Sequence, residues 1–186
     1  WRLARRLIVL FLVLVAVFWG TGRIYDANAE RIHAHINDFG PDGVIAKARE
    51  RVLERGSDRL VVLIHGFGAS PMTMAPIFEA FAATTAADLW APLLEFHGRT
   101  LQRFNAFDAD RIRDNLAERL KKRMEGYREI VIIAHSFGGA MVTELVASGE
   151  IPESARILLL APAIDIIKNT EKTALELKAF RLWASY

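Results

Sequence analysis

The chain has 186 residues, 52% of them apolar, with 24 Lys and Arg against 22 Asp and Glu and no cysteine; this is the composition of one globular domain and excludes a disordered or fibrous chain. The lack of cysteine also excludes a disulfide scaffold, a thiolate metal site and a thiol nucleophile. Arg2, Arg5, Arg6 and Arg23 precede the first acid, Asp26, so the remainder holds 20 basic groups against 22 acids and a net charge of −2, and with no basic run interleaved with aromatics a nucleic-acid partner is set aside.

From Leu7 to Gly22 the chain is uncharged and reads LIVLFLVLVAVFWGTG, between Arg5-Arg6 and Arg23. Sixteen helical residues span roughly 24 Å, short of a ~30 Å hydrocarbon core, but the flanking arginines can snorkel and Trp1 and Trp19 suit the interfaces. We expect residues 1–25 to be an uncleaved membrane anchor. A signal peptide cleaved after Ala27-Asn28-Ala29 competes, and a buried core helix is the bland alternative. The arginines favour the inner side, which puts the domain on the outer (periplasmic or extracellular) side of an inner membrane.

Residues 26–59 read as a polar connector broken at Gly40-Pro41-Asp42-Gly43, with helical character from Val44 to Arg55. Asp38-Phe39-Gly40 has no nucleotide-loop companion and is a chance match. Beyond residue 59, apolar runs at Leu60–Ile64, Leu89–Ala91, Ile130–Ala134 and Ile157–Ala161 alternate with helical stretches, which predicts an α/β domain with a parallel sheet covered by helices. Ile112, Leu116, Leu120 and Met124 form one stripe of a helix over 108–125, capped by Asp108. A second helix over 138–148 starts at a glycine pair and stops near Gly149.

Two strand ends carry the chemistry. At Glu129–Val146 a strand runs into Ser136 and a helix leaves it, the context of a nucleophile elbow, with Ala134 and Gly138 small where strand and helix nearly touch. At Leu60–Pro71 a second strand ends in His65-Gly66-Phe67-Gly68-Ala69-Ser70. Acyl transfer needs two amides aimed at one oxyanion, and the N–H groups of Phe67 and Phe137 are the natural pair.

The motifs HGFGAS (65–70), AHSFGG (134–139) and Phe96-His97-Gly98 resemble the α/β-hydrolase superfamily, in particular its bacterial esterase, lipase and monoacylglycerol-lipase-like serine hydrolases. The resemblance covers roughly residues 60–165. It implies a Ser136 nucleophile, an oxyanion hole at Phe67 and Phe137 supported by His65, Gly66, Gly68, Ala134, His135, Gly138 and Gly139, and hydrophobic or lipid-like esters as substrates. No metal or organic cofactor is implied. Family order puts the acid and the histidine after the serine, yet the histidines are His33, His35, His65, His97 and His135, so the base and acid are expected beyond Tyr186, with residues 166–186 starting a cap. Asp165 is expected to be structural and His97 a minor contender for the base. A non-catalytic binding scaffold and an acyltransferase are the alternatives in function.

Overall fold

The computed structural model of the chain describes residues 1–164; Asp165 and the expected cap stretch 166–186 lie outside the described residues. The elements are α1 (Arg2–Ile36), β1 (Arg51–Leu53), β2 (Arg59–Ile64), α2 (Ala75–Thr84), β3 (Asp88–Ala91), α3 (Leu101–Asn105), α4 (Ala109–Met124), β4 (Glu129–His135), α5 (Phe137–Ala147) and β5 (Arg156–Leu160). The strands form one sheet in the order β1-β3-β2-β4-β5. β2 pairs parallel with both β3 and β4, and β5 extends β4 in parallel.

Leu60, Val62 and Ile64 point from β2 into a core shared with Ile112, Leu116, Leu120 and Met124 of α4 and Met141 and Leu145 of α5. Val61 and Leu63 point the other way, against Met74 and Phe78 of the α2 side, with Leu89 and Ile133 beside them. Side chains alternate across a strand, so an uninterrupted apolar run is what a sheet covered on both faces requires. The stripe predicted for 108–125 is this packing face, and Asp108 caps it by accepting from the Arg111 N–H at 3.0 Å.

The sheet differs from the expectation at one edge. Where helical character was expected over Val44–Arg55, a single 3-10 turn at Ala46–Ala48 is followed by β1, which runs antiparallel to β3. Local helical spacing loses there because the open edge of β3 offers backbone partners to Arg51–Leu53, and Leu53 gains contact with the core. The connector is also shorter than its composition suggests, because α1 continues unbroken to Ile36. α1 contains a window of mean hydropathy 2.3, long and apolar enough to cross a membrane, and none of that window is buried. Among the described residues Leu7–Gly22 is therefore not packed as a core helix.

Strand order reverses at β2, which has β3 on one side and β4 on the other. In open α/β sheets the crevice above the carboxyl ends of such strands is where ligands are held. The turns after β2, β3 and β4 meet at that end.

Candidate active site

Ser136 sits in a backbone conformation with φ 51° and ψ −117°, which side-chain-bearing residues rarely adopt and which is held only when neighbours fix it. The neighbours are backbone groups. The Ser136 N–H donates to the Leu160 carbonyl at 2.9 Å, and the Ser136 carbonyl accepts from Ala163 and Ala140, each at 3.1 Å. The turn from β4 into α5 is thus fastened to the end of β5. It leaves the serine half-exposed between a buried Ala134 and a buried Phe137.

Glycine is required at two contacts. A Cβ on Gly138 would lie 2.4 Å from the His65 carbonyl oxygen and 2.7 Å from Ile64 Cγ2, and one on Gly66 would lie 3.1 Å from both Ser136 Cβ and His135 Nδ1. The first turn of α5 therefore presses directly on the end of β2, and the turn after β2 presses on the serine. Gly139 is tight as well, its added Cβ meeting Pro162 Cβ at 3.0 Å. Gly68, at φ 64°, reverses the chain, and the Ala69 N–H bonds the Gly66 carbonyl at 3.3 Å.

These contacts bring the turn after β2, which carries Phe67, against the turn at Ser136 that precedes Phe137. Phe137 is the first residue of α5, so its N–H has no partner within the helix, and among the described residues no backbone bond takes the Phe67 N–H.

His65 is fully buried. Its Nδ1 lies 2.9 Å from the Gly66 carbonyl and its Nε2 3.1 Å from the Leu94 N–H. A carbonyl only accepts and an N–H only donates, so the ring is neutral with its proton on Nδ1. Both nitrogens are occupied, which fits a strut between the turns after β2 and β3 and leaves none for proton transfer. Burial, against the opposing Gly66 bond, and repulsion between the two rings whenever His97 is also protonated lower its pKa to about 4.

The sign of the linkage follows. The unfolded chain takes up a proton at this histidine near pH 6.5 while the folded one resists until about pH 4, so stability is whole above pH 6.5 and falls as the pH drops through that window, by roughly 3 kcal/mol from this group. Urea midpoints measured from pH 7 to 4 should show the fall; a flat midpoint would contradict the assignment.

His97 is buried too, stacked on Phe137 at 6.3 Å and edge-on to Phe67 at 6.0 Å and Phe104 at 5.5 Å. Its Nδ1 lies 2.9 Å from the Glu95 carbonyl, so that nitrogen carries the proton, and Nε2 is buried without a partner. Burial holds its pKa below the usual histidine value. His135 is exposed at the end of β4, and His33 and His35 are on α1. The site's aromatic lining was missed in the sequence: Phe104 and Phe107 close on Phe67 at 5.2 and 5.1 Å. Their i, i+3 spacing was the available signal.

Among the described residues no group of three or more His, Cys, Asp or Glu could hold a metal ion. The arrangement is a serine on a strained turn that packs against the glycine turn after β2.

A family model describing the alpha/beta hydrolase family matches residues 61–185. Among solved structures, a metagenome-derived lipolytic enzyme, described with LipS and LipT, is 26% identical over 64% of this chain and 47% of its own, with a TM-score of 0.53. MenH from S. aureus is 18% identical over 61% of this chain and 42% of its own, TM-score 0.47. A thioesterase domain from the curacin biosynthetic pathway is 20% identical over 54% and 39%, TM-score 0.42. The chain thus spans less than half the length of these structures. No curated protein matches it. With two thirds of its length under the family's pattern and the strand order, elbow and glycine contacts described above, the chain belongs to the alpha/beta hydrolase family.

Proposed function

We propose that the protein is a serine hydrolase that cleaves hydrophobic carboxylic esters. Ser136 Oγ attacks the ester carbonyl carbon, and the oxygen that gains the negative charge is held by the N–H groups of Phe67 and Phe137. Collapse of this tetrahedral intermediate breaks the bond to the alcohol, which leaves with a proton, and water then releases the acyl group from Ser136. Each properly aimed amide contributes of the order of 10²–10³ in rate. The observation that carries the reading is Ser136 at φ 51° on a turn packed against Gly66; the Phe67 and Phe137 N–H groups, without a backbone partner among the described residues, support it. His65 is excluded as the base by its two occupied nitrogens; no other described residue is assigned that part. The apolar ring of Phe67, Phe104, Phe107 and Phe137 is the basis for a hydrophobic acyl or alcohol group.

The test is a fluorophosphonate probe on the full-length protein, which reacts only with an activated serine. It should label Ser136, as read by mass spectrometry of the modified peptide. Labelling at another residue would overturn the assignment.

We further propose that α1 anchors the domain, with Arg5 and Arg6 on the inner face of the membrane and the domain outside. Its large apolar side chains from Leu7 to Trp19 are exposed, and burial in lipid would stabilise each by about 1.5–3 kcal/mol. Carbonate-washed membranes should keep the protein. A soluble form beginning at Glu30 would instead establish cleavage after Ala29.

A further inference from the structure

We propose that the cleft between the end of α1 and the turn after β2 binds a single-chain amphiphile by its anionic head group. The cleft has a volume of about 490 Å³ and is lined by His33 and Asn37 of α1, Lys47 and Arg99, and Gly68–Ser70 of the turn, with His97 and Phe104 at its inner end. Ser136 is not in its wall, although His97 and Phe104 are shared with the aromatic lining beside the serine. A volume of this size is that of a small-ligand site.

Charge selects the ligand. Lys47 and Arg99 are the cations of the lining, and no Asp or Glu lines it. Glu50, the nearest carboxylate in sequence to Lys47, is paired with Arg119, and Asp42 is taken by Arg49 in a two-bond pair. The Arg99 guanidinium donates at 3.1 Å only to the Asp42 main-chain carbonyl, and the Arg99 carbonyl is fixed by His33 Nε2 at 3.1 Å. Among the described residues neither cation has a carboxylate partner within ion-pair distance. Two cations left facing one cavity attract an anion, and a phosphate monoester with its several acceptor oxygens suits an arginine and a lysine together.

The remaining lining fixes the rest of the ligand. Ile45, Ala48, Met72, Leu101 and Phe104 make the wall mostly apolar, which suits an alkyl chain and gives a free inorganic anion nothing. The wall formed by His33 is the same helix that bears the apolar run, whose end at Gly22 is eleven residues or about 16 Å away, so a lipid at a bilayer surface is the source to which the site is open.

The full chain, reconstituted in phosphatidylcholine vesicles, should be photolabelled by dodecyl phosphate bearing a diazirine at the chain end, and the modified peptides mapped by mass spectrometry. We expect labelling within residues 68–73 or 97–104, at least tenfold above that of the matching neutral dodecyl glyceryl ether. Lys47→Glu, an exposed position on a short turn, should cut it at least fivefold, and Lys47→Gln by less. Ser136→Ala should leave it unchanged, so that loss of the hydrolase reading and loss of this site give different results. Equal labelling by the neutral ether, labelling confined to residues 7–22, or indifference to Lys47→Glu would overturn the proposal. Competition by inorganic phosphate as effective as that by unlabelled dodecyl phosphate would also overturn it, since the site would then take a free anion.

Discussion

Ser136→Ala in the full-length protein is expected to abolish fluorophosphonate labelling and to lower ester turnover by about 10⁴-fold or more, with little change in thermal stability. The rate estimate follows from what is left. Removing the hydroxyl removes the covalent route, while the Phe67 and Phe137 amides remain to stabilise charge on a carbonyl attacked directly by water, and such remnants retain of the order of 10³–10⁴ over the uncatalysed reaction. Stability should hold because the turn at Ser136 is fixed through its main chain: its N–H bonds Leu160 and its carbonyl accepts from Ala140 and Ala163, none of which the substitution touches. Alanine at φ 51° is also no more strained than serine. Steady-state assays on a short-chain p-nitrophenyl ester read the first part, and a melting curve the second. Turnover that survives the substitution would dismiss Ser136 as the nucleophile. A large fall in melting temperature would show that the side chain, and not the backbone, holds the elbow.

Gly138→Ala should be strongly damaging, because its added carbon meets main chain rather than a side chain that can move. The new Cβ would be placed 2.4 Å from a backbone oxygen, that of His65, and 3.1 Å from another, that of Ile64. A flexible side chain could swing aside, but these belong to the end of β2, at the middle of the sheet, so β2 and α5 must separate. Overpacking usually costs about 1–3 kcal/mol and backbone clashes lie at the upper end or beyond, so we expect about 3 kcal/mol or more. Gly149→Ala is the control: its φ is 76° but no heavy atom lies within 4 Å of the added carbon, so it should cost only the conformational strain, about 1–2 kcal/mol. Urea midpoints compare them. If Gly138→Ala were no worse than Gly149→Ala, the close approach of elbow and oxyanion turn would be wrong. Activity should fall further than stability in Gly138→Ala, because the movement displaces the Phe67 amide from Ser136.

The sequence by itself determined the four parallel strands, because a sheet covered on both faces demands unbroken apolar runs and those runs are bounded by turns. It determined α4 through a four-residue stripe and an Asp cap, and it located the tight strand-to-helix turn at Ser136, since small residues two positions to either side of Ser136 are a local steric need. Gly138 was thus legible before its neighbours were known. What only the tertiary structure decided is what those neighbours are. That the steric conflict at Gly138 is with the His65 carbonyl, that Gly66 rests on Ser136, and that His65 is a neutral strut follow from the adjacency of β2 and β4, which no local pattern encodes. β1 was misread for the same reason: its helical spacing is local, whereas the free edge of β3 that captures it is 38 residues away in register, Val52 facing Trp90. The cleft beside the turn could not be read at all, because Lys47, Arg99 and His33 come from three segments with no common spacing, and only folding brings them to one wall.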